Sequence, residues 1–238
     1  MNLLLLTPDD LLADGHYRIT GRRRLHLLQV LDLKAGDHCR AGLLNGALGN
    51  ATLENINEDD IRLTFVATEE PPAPLPLTLV LALPRPKMLK RILIDATSLG
   101  VKTIILLNSW KVDKSYWQTP ELKRPQLEEK MLLGLEQARD TLLPTLLLAP
   151  RFRPFVEDEL PGYLQRSTGF IAHPGAHPPL PSQLNTPVTL AIGPEGGWTA
   201  YEATLLQQQG MQCGSFGSRI LRGETAVPAI IGSMMQLK

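Results

Sequence analysis

Residues 75–83 read LPLTLVLAL, a run without a single charge and with apolar side chains on both alternating faces. A strand with one face in water alternates apolar and polar residues; one that does not alternate is covered on both sides, as in parallel sheets. Parallel strands in turn need crossover connections, usually helices, so this run points to an α/β domain. The chain after it meets that requirement. Residues 87–99 set Met88, Leu89, Ile92, Leu93, Ala96 and Leu99 on one helical face and stop at Gly100, ahead of the strand VKTIILL. A second helix is expected over 125–139, with Leu127, Met131, Leu135 and Ala138 inward, followed by TLLLA, GFIAH and PVTLAI as strands. A last helix begins near Glu224, with Val227, Ile230, Ile231, Met234 and Met235 at helical spacing and Pro228 expected in its first turn.

The prolines of EEPPAPLP, residues 69–76, remove backbone donors and favour extended chain, so the junction between two domains, 1–70 and 71–238, is expected there. Upstream, GRRRLHLLQVLDL predicts a helix facing inward with Leu25, Leu28, Val30 and Leu31. Strand character follows over 40–44, 51–56 and 61–66, and Asn45-Gly46 signals a hairpin. The first domain reads as a small, mostly β barrel. MNLLLL is too short and lacks the basic flank of a signal peptide or membrane span, and a first strand is expected there instead.

With 24 Lys plus Arg against 24 Asp plus Glu, the chain has zero formal net charge, so any nucleic-acid contact must be local. Cys39 and Cys213 make neither a metal spacing nor a disulfide framework, which fits a reducing cytoplasm, and no metal is expected.

Ligands of open parallel sheets bind beyond the carboxyl ends of strands. Three loops are placed there: His173-Pro174-Gly175, IGPEGGWT over 192–199, and GSRILRGETA over 217–226. Thr199 and Glu202 have capping-box spacing, so a helix starts directly after the glycines. That start would favour an anion, but Glu195 would repel one, and the glycine spacing matches no phosphate-binding pattern. The plainer alternative is a tight turn in which Glu195 caps backbone donors. Arg219, Arg222 and Glu224 fall within six residues, either to hold a planar electron-rich group or as a surface ion pair. Arg22, Arg23 and Arg24 form one basic cluster, and Arg85, Lys87, Lys90 and Arg91 another; either contacts phosphates or is a solvated face. In WKVDKSYW, residues 110–117, Trp110, Tyr116 and Trp117 interleave with Lys111 and Lys114, a pattern that serves base stacking or interface packing.

IGPEGG followed about two dozen residues later by RILRGETA resembles the signature of the RsmE family of SPOUT methyltransferases, which methylate the N3 of a uracil in 16S ribosomal RNA. The resemblance extends to the proline-rich junction, Lys87-Met88, Leu99-Gly100-Val101 and His173-Pro174. It implies a PUA-like N-terminal barrel, a C-terminal α/β domain closed by a deep trefoil knot, a homodimer, and S-adenosyl-L-methionine bound in the knot. On that resemblance the cofactor contacts are His173 and Pro174; Ile192, Gly193, Pro194, Glu195, Gly196 and Gly197; and Phe216, Gly217, Ser218, Arg219, Ile220 and Leu221. A sulfonium cation tolerates a carboxylate such as Glu195. Arg222 would stabilise the uracil anion and Glu224 orient it or take the proton, while the two basic clusters would bind RNA. The chain departs from the family pattern at Asp32, at Asp95 to Ser98, at Arg139-Asp140 and at Gly223, positions expected to face RNA. Two other readings share the fold: a SPOUT methyltransferase with a different RNA target, and a catalytically silent dimeric RNA-binding module.

Overall fold

The computed structural model describes residues 2–175, 177–184 and 186–235. It divides into two compact units, Met1–Ala73 with Leu132–Leu143, and Pro74–Met131 with Pro144–Lys238. The break in the chain falls inside the proline-rich stretch. The return of Leu132–Leu143 to the first unit has no signal in local sequence, because it rests on contacts between residues about a hundred positions apart.

The first unit holds β1 (Leu4–Leu6), β2 (Tyr17–Ile19), α1 (Gly21–Leu25), β3 (His38–Leu43), β4 (Leu48–Ile56) and β5 (Ile61–Glu69). They make a five-stranded sheet in the order β1-β3-β4-β5-β2, in which β1 and β3 run parallel and the other pairs antiparallel. The leucine run is indeed a strand, buried on both sides. Leu4 and Leu6 join the core of Ile19, Leu53, Ile61 and Leu63, while Leu3 and Leu5 pack with Leu48 and Leu135. Asn45, at φ 59°, turns the β3–β4 hairpin as its sequence predicts.

The expected helix over GRRRLHLLQVLDL needs correction. After α1 the chain widens into a π-helical turn over His26–Val30. The extra residue rotates the following side chains, so Leu27 is the buried one, whereas Leu25, Val30 and Leu31 are exposed.

The second unit holds β6 (Leu75–Ala82), α2 (Pro86–Ser98), β7 (Val101–Leu107), α3 (Arg124–Ala138, its last turns grouped with the first unit), β8 (Thr145–Ala149), α4 (Phe152–Pro154), α5 (Leu160–Leu164), β9 (Thr168–Ala172), β10 (Val188–Ile192), α6 (Ala200–Gln208), β11 (Gln212–Gly214) and α7 (Gly223–Met234). The strands form one parallel six-stranded sheet in the order β11-β9-β10-β6-β7-β8. β6 and β10 occupy its centre, which is why LPLTLVLAL and PVTLAI carry apolar residues on both faces: Leu79, Val80, Leu190 and Ala191 are fully buried. Gly100, at φ 87°, ends α2 as expected.

Helix α7 packs against α2 and buries Val227, Ile230, Ile231 and Met234. It starts at Gly223, which puts Pro228 in the second turn rather than the first. Proline lacks the N–H that would bond the Glu224 carbonyl, so the ladder is interrupted one turn inside the helix. Strand order places β11, β9 and β10 side by side, and their carboxyl ends carry the three loops singled out above.

Candidate functional site

The three loops converge. A cavity of about 250 Å³ opens beyond the ends of β9, β10 and β11, just under the usual range for small-molecule pockets, roughly 300–1,000 Å³. It is lined by His173 and Pro174 after β9, by Ile192, Gly193, Pro194, Glu195, Gly196 and Gly197 after β10, and by Phe216, Gly217, Arg219, Ile220 and Leu221 after β11. Ser218 is the exception among the residues singled out: it is exposed and does not line the cavity. Ala172, Trp198, Gly223, Ala226 and Ile230 also line it. The last three lie three and four residues apart on one face of α7, a spacing legible in the sequence once that face is known to border a cavity.

The glycines of the middle loop have separate causes. Gly197 takes φ 68°, and its N–H donates to the Pro194 carbonyl at 2.7 Å, closing the turn. A Cβ on Gly193 would stand 3.2 Å from the backbone nitrogen and the ring of Trp198, so that residue's smallness is set by close approach. Trp198 is buried against Phe152, ring centroids 6.0 Å apart, and its Nε1 is buried without a hydrogen-bond partner among the described residues. Below the loop the capping box forms as its spacing predicts. Thr199 N–H and Oγ1 each donate to Glu202 Oε2 at 2.9 Å, and Glu202 N–H donates to Thr199 Oγ1 at 3.2 Å. The other oxygen of the buried Glu202 accepts the Trp110 N–H at 2.7 Å, tying the segment after β7 to the start of α6. His173 is fixed by its backbone N–H to the Gly214 carbonyl and by Nδ1 against the Pro174 carbonyl at 2.7 Å.

A second, wider hollow of about 910 Å³ contains Arg222 and Glu224 together with Arg85, Lys87, Met88, Tyr116 and Glu121. Glu195 lines both cavities. Its Oε1 lies 3.7 Å from Arg85 Nε and 3.4 Å from the Arg85 backbone nitrogen, so it does accept a backbone donor, but one from another loop. Arg222 is the N-cap of α7 and Glu224 is in its first turn. A twelve-residue helix directs its amide end toward this hollow, which favours negative charge there.

The basic residues are unequal. Arg85, Lys87 and Arg91 are exposed. Lys90 pairs with Glu121 at 3.1 Å, and hydrogen bonds from Thr119 and Lys90 draw the Glu121 carboxyl down to about 2. In the first unit Arg23 is bound into the fold: its guanidinium donates to both oxygens of buried Asp10, at 2.7 and 2.6 Å, and to the Leu5 carbonyl at 2.7 Å. Arg22 meets the buried Glu136 at 2.6 Å, and Arg24 donates to the Asn57 carbonyl at 2.6 Å. At the Arg139-Asp140 departure the arginine is exposed and the aspartate internal. Arg139 takes φ 56° as α3 ends, and Asp140 is buried, accepting the Leu142 N–H at 2.9 Å. Asp140 therefore does not face RNA as expected.

Among the described residues no group of three or more His, Cys, Asp or Glu is placed to hold a metal ion, and no helix is long and apolar enough to cross a membrane.

A parallel sheet with two hollows beyond its carboxyl edge, the second lined by Arg85, Lys87 and Arg222 together with Glu121, Glu195 and Glu224, defines a ligand-binding α/β domain, and residues 71–235 match the family described as an RNA methyltransferase domain. Across 96% of its length, the chain is 31% identical to ribosomal RNA small subunit methyltransferase E of Treponema pallidum, covering 88% of that protein. The protein of the same name in Synechocystis is 27% identical, with 94% of this chain and 73% of that one aligned. The chain belongs to the ribosomal RNA small subunit methyltransferase E family. Its fold is also that of the Neisseria gonorrhoeae ribosomal RNA small subunit methyltransferase E, solved bound to S-adenosyl methionine, with TM-score 0.76, 20% identity, and 97% and 96% of the two chains covered. A Legionella pneumophila methyltransferase solved with the same cofactor superposes with TM-score 0.76 at 20% identity, over 98% and 96% of the two chains.

Proposed function

We propose that this chain transfers the methyl group of S-adenosyl-L-methionine to the N3 of one uridine in 16S ribosomal RNA. The observation that carries the reading is spatial. The loops that resemble the RsmE signature line one cavity, and Arg222 and Glu224 occupy a second that shares Glu195 with it.

The first cavity suits that cofactor better than a nucleotide phosphate. Its ionisable side chains, among the described residues, are His173, Glu195 and Arg219, and much of its wall is backbone laid bare by Gly193, Gly196 and Gly197. Backbone amides and carbonyls can hold an adenine edge and a ribose, Ile192, Leu221 and Ile230 supply apolar contact, and Glu195 offers a carboxylate to a cation. When bound, S-adenosyl-L-methionine supplies an electrophilic methyl group on a sulfonium.

The chain's own residues would then prepare the nucleophile. Uracil N3 carries a weakly acidic proton, and its removal spreads negative charge over the two flanking carbonyl oxygens. Arg222, permanently protonated and seated at the amide end of α7, stabilises that charge as it develops. Glu224, two residues on and in the same hollow, orients the base or receives the N3 proton through water. Because N3 lies on the pairing edge, the uridine enters unpaired or flipped out. Exposed Arg85 and Lys87 in the wall of the hollow and exposed Arg91 on α2, with Arg22 and Arg24 of the first unit, supply phosphate contacts.

The first unit is read as a PUA-like barrel, the second as a SPOUT domain with a trefoil knot, and the working form as a homodimer in the cytoplasm. Support for the knotted reading comes from the insertion of β10 between β6 and β9 and the packing of α7 on α2. The test is nucleoside mass spectrometry of 16S ribosomal RNA from cells lacking the gene. N3-methyluridine should disappear and return on complementation. An unchanged level, in cells without a second enzyme for the same mark, would refute the substrate assignment.

A further inference from the structure

Trp110, in the segment after β7, is 86% exposed, and Tyr201, at the start of α6, is 59% exposed. Both line a cleft of about 860 Å³, separate in its lining from the two hollows above apart from its position beside the same loop. Trp117 and Phe152 line it too, and the Trp117 ring is held by its Nε1 hydrogen bond to Asn108 Oδ1 at 2.9 Å. Two cations, Lys114 and Arg153, complete the relevant walls. Arg153 is steadied by Glu157, with Nε 2.8 and 2.9 Å from the two carboxylate oxygens. The acid in the lining, Glu202, is buried, and its oxygens are taken up by Trp110 N–H and Thr199. The open face is therefore aromatic, with Lys114 in its wall and Arg153, salt-bridged to Glu157, beside it.

That pairing matches single-stranded RNA, whose bases stack on aromatic rings while phosphates seek Lys and Arg. The segment is also joined to the cavity loop, because Lys111, next to Trp110, donates from Nζ to the Gly196 carbonyl at 2.7 Å. We infer that this cleft is an RNA subsite in which Trp110 and Tyr201 stack an unpaired base flanking the methylated nucleotide, with Lys114 and Arg153 against its phosphates. The inference rests on the RNA methyltransferase reading above and adds to it a place where the strand is gripped.

The probes are oligouridylate and oligoadenylate of about a dozen nucleotides, bound to the full-length chain and followed by fluorescence anisotropy over a range of salt. Trp110→Ala should weaken both roughly tenfold while leaving the salt dependence unchanged, and Trp110→Phe should restore most of the affinity. Lys114→Gln should instead lower the slope of log affinity against log salt by about one. S-adenosyl-L-methionine binding by calorimetry and mass by light scattering should be unchanged in all three variants. If wild type binds RNA and Trp110→Ala binds it equally well, the subsite is wrong while the enzyme reading stands. If Trp110→Ala alters the oligomeric state, a second copy of the chain covers the cleft and the subsite is wrong. If wild type binds neither oligonucleotide, the subsite is wrong, and the enzyme reading is decided separately by the mass spectrometry of 16S ribosomal RNA.

Discussion

Lys111 clamps Gly196: its Nζ donates to the Gly196 carbonyl at 2.7 Å, and its Cδ lies 2.8 Å from where a Cβ on residue 196 would stand. The lysine stem thus covers the turn whose backbone forms one wall of the cavity. Lys111→Met keeps the stem and removes the bond. Because Lys111 is exposed, the bond is a modest one, and the dissociation constant for S-adenosyl-L-methionine should rise roughly two- to tenfold with little change in melting temperature. Calorimetry reads this directly. An unchanged constant would mean that the turn keeps its shape without the clamp.

Glu195 separates the two hollows, and its proposed role is electrostatic. S-adenosylhomocysteine, which lacks the methyl group and the positive charge, provides the control. Glu195→Gln should weaken S-adenosyl-L-methionine several-fold and leave S-adenosylhomocysteine nearly unaffected. Equal losses for the two ligands would show that Glu195 shapes the loop through Arg85 and does not sense the sulfonium.

Arg222→Ala should reduce the methylation rate by about a hundred- to a thousandfold, the range for removing a donor to developing negative charge, while cofactor affinity stays within about twofold. The separation is expected because Arg222 lines the second hollow and not the first. Single-turnover methylation of small-subunit RNA together with calorimetry tests both halves. A variant that turns over normally would remove Arg222 from the chemistry.

Much of this arrangement is legible in the sequence because burial writes itself into periodicity. β6 and β10 are apolar on both faces and sit in the middle of the sheet, and Thr199 with Glu202 announces the helix that follows the glycines. The exceptions have identifiable causes. A π-turn over His26–Val30 moved the buried face onto Leu27, and no local pattern encodes it. Trp198 was present in the quoted loop, but its lining role follows from Gly193, whose missing Cβ leaves room for the ring. Asp10 and Glu136 explain why neighbouring arginines that look alike in sequence differ: Asp10 lies 13 positions from Arg23 and Glu136 lies 114 from Arg22, and a run of three cations gives no hint of either partner.

The Arg23–Asp10 pair is the clearest stability test. Burial pushes the Asp10 carboxyl up, but hydrogen bonds and charge from Arg23, with hydrogen bonds from Thr7, outweigh it and leave the group below its ordinary value of 3.8. A carboxyl lowered by folding stabilises the native state above its unfolded pKa and loses that contribution as pH falls through the folded value. Wild type should therefore lose stability below about pH 4 through this group, and Asp10→Asn should lose less over that window. At neutral pH, Asp10→Asn should cost about 1.5–3 kcal/mol in denaturant melts, since the partly buried Arg23 is left without its carboxylate. A neutral substitution would mean that water replaces the pair without loss.

The same pair divides the basic residues into two kinds, which salt can distinguish. An exposed cation that contacts phosphate releases a counterion, so its removal lowers the slope of log affinity against log salt by about one. Lys87→Ala, in the wall of the Arg222 hollow, and Arg91→Ala, exposed one turn further along α2, should each do so without altering the melting temperature. Lys90→Ala should change the slope less, because Lys90 already faces Glu121. Arg23→Gln should lower stability and leave the slope in place, because its guanidinium is occupied by Asp10 and the Leu5 carbonyl. Filter binding to a small-subunit RNA fragment at several salt concentrations, alongside melts of each variant, measures both quantities. A slope change for Arg23→Gln as large as that for Lys87→Ala would place phosphate on Arg23 itself, in addition to Arg22 and Arg24.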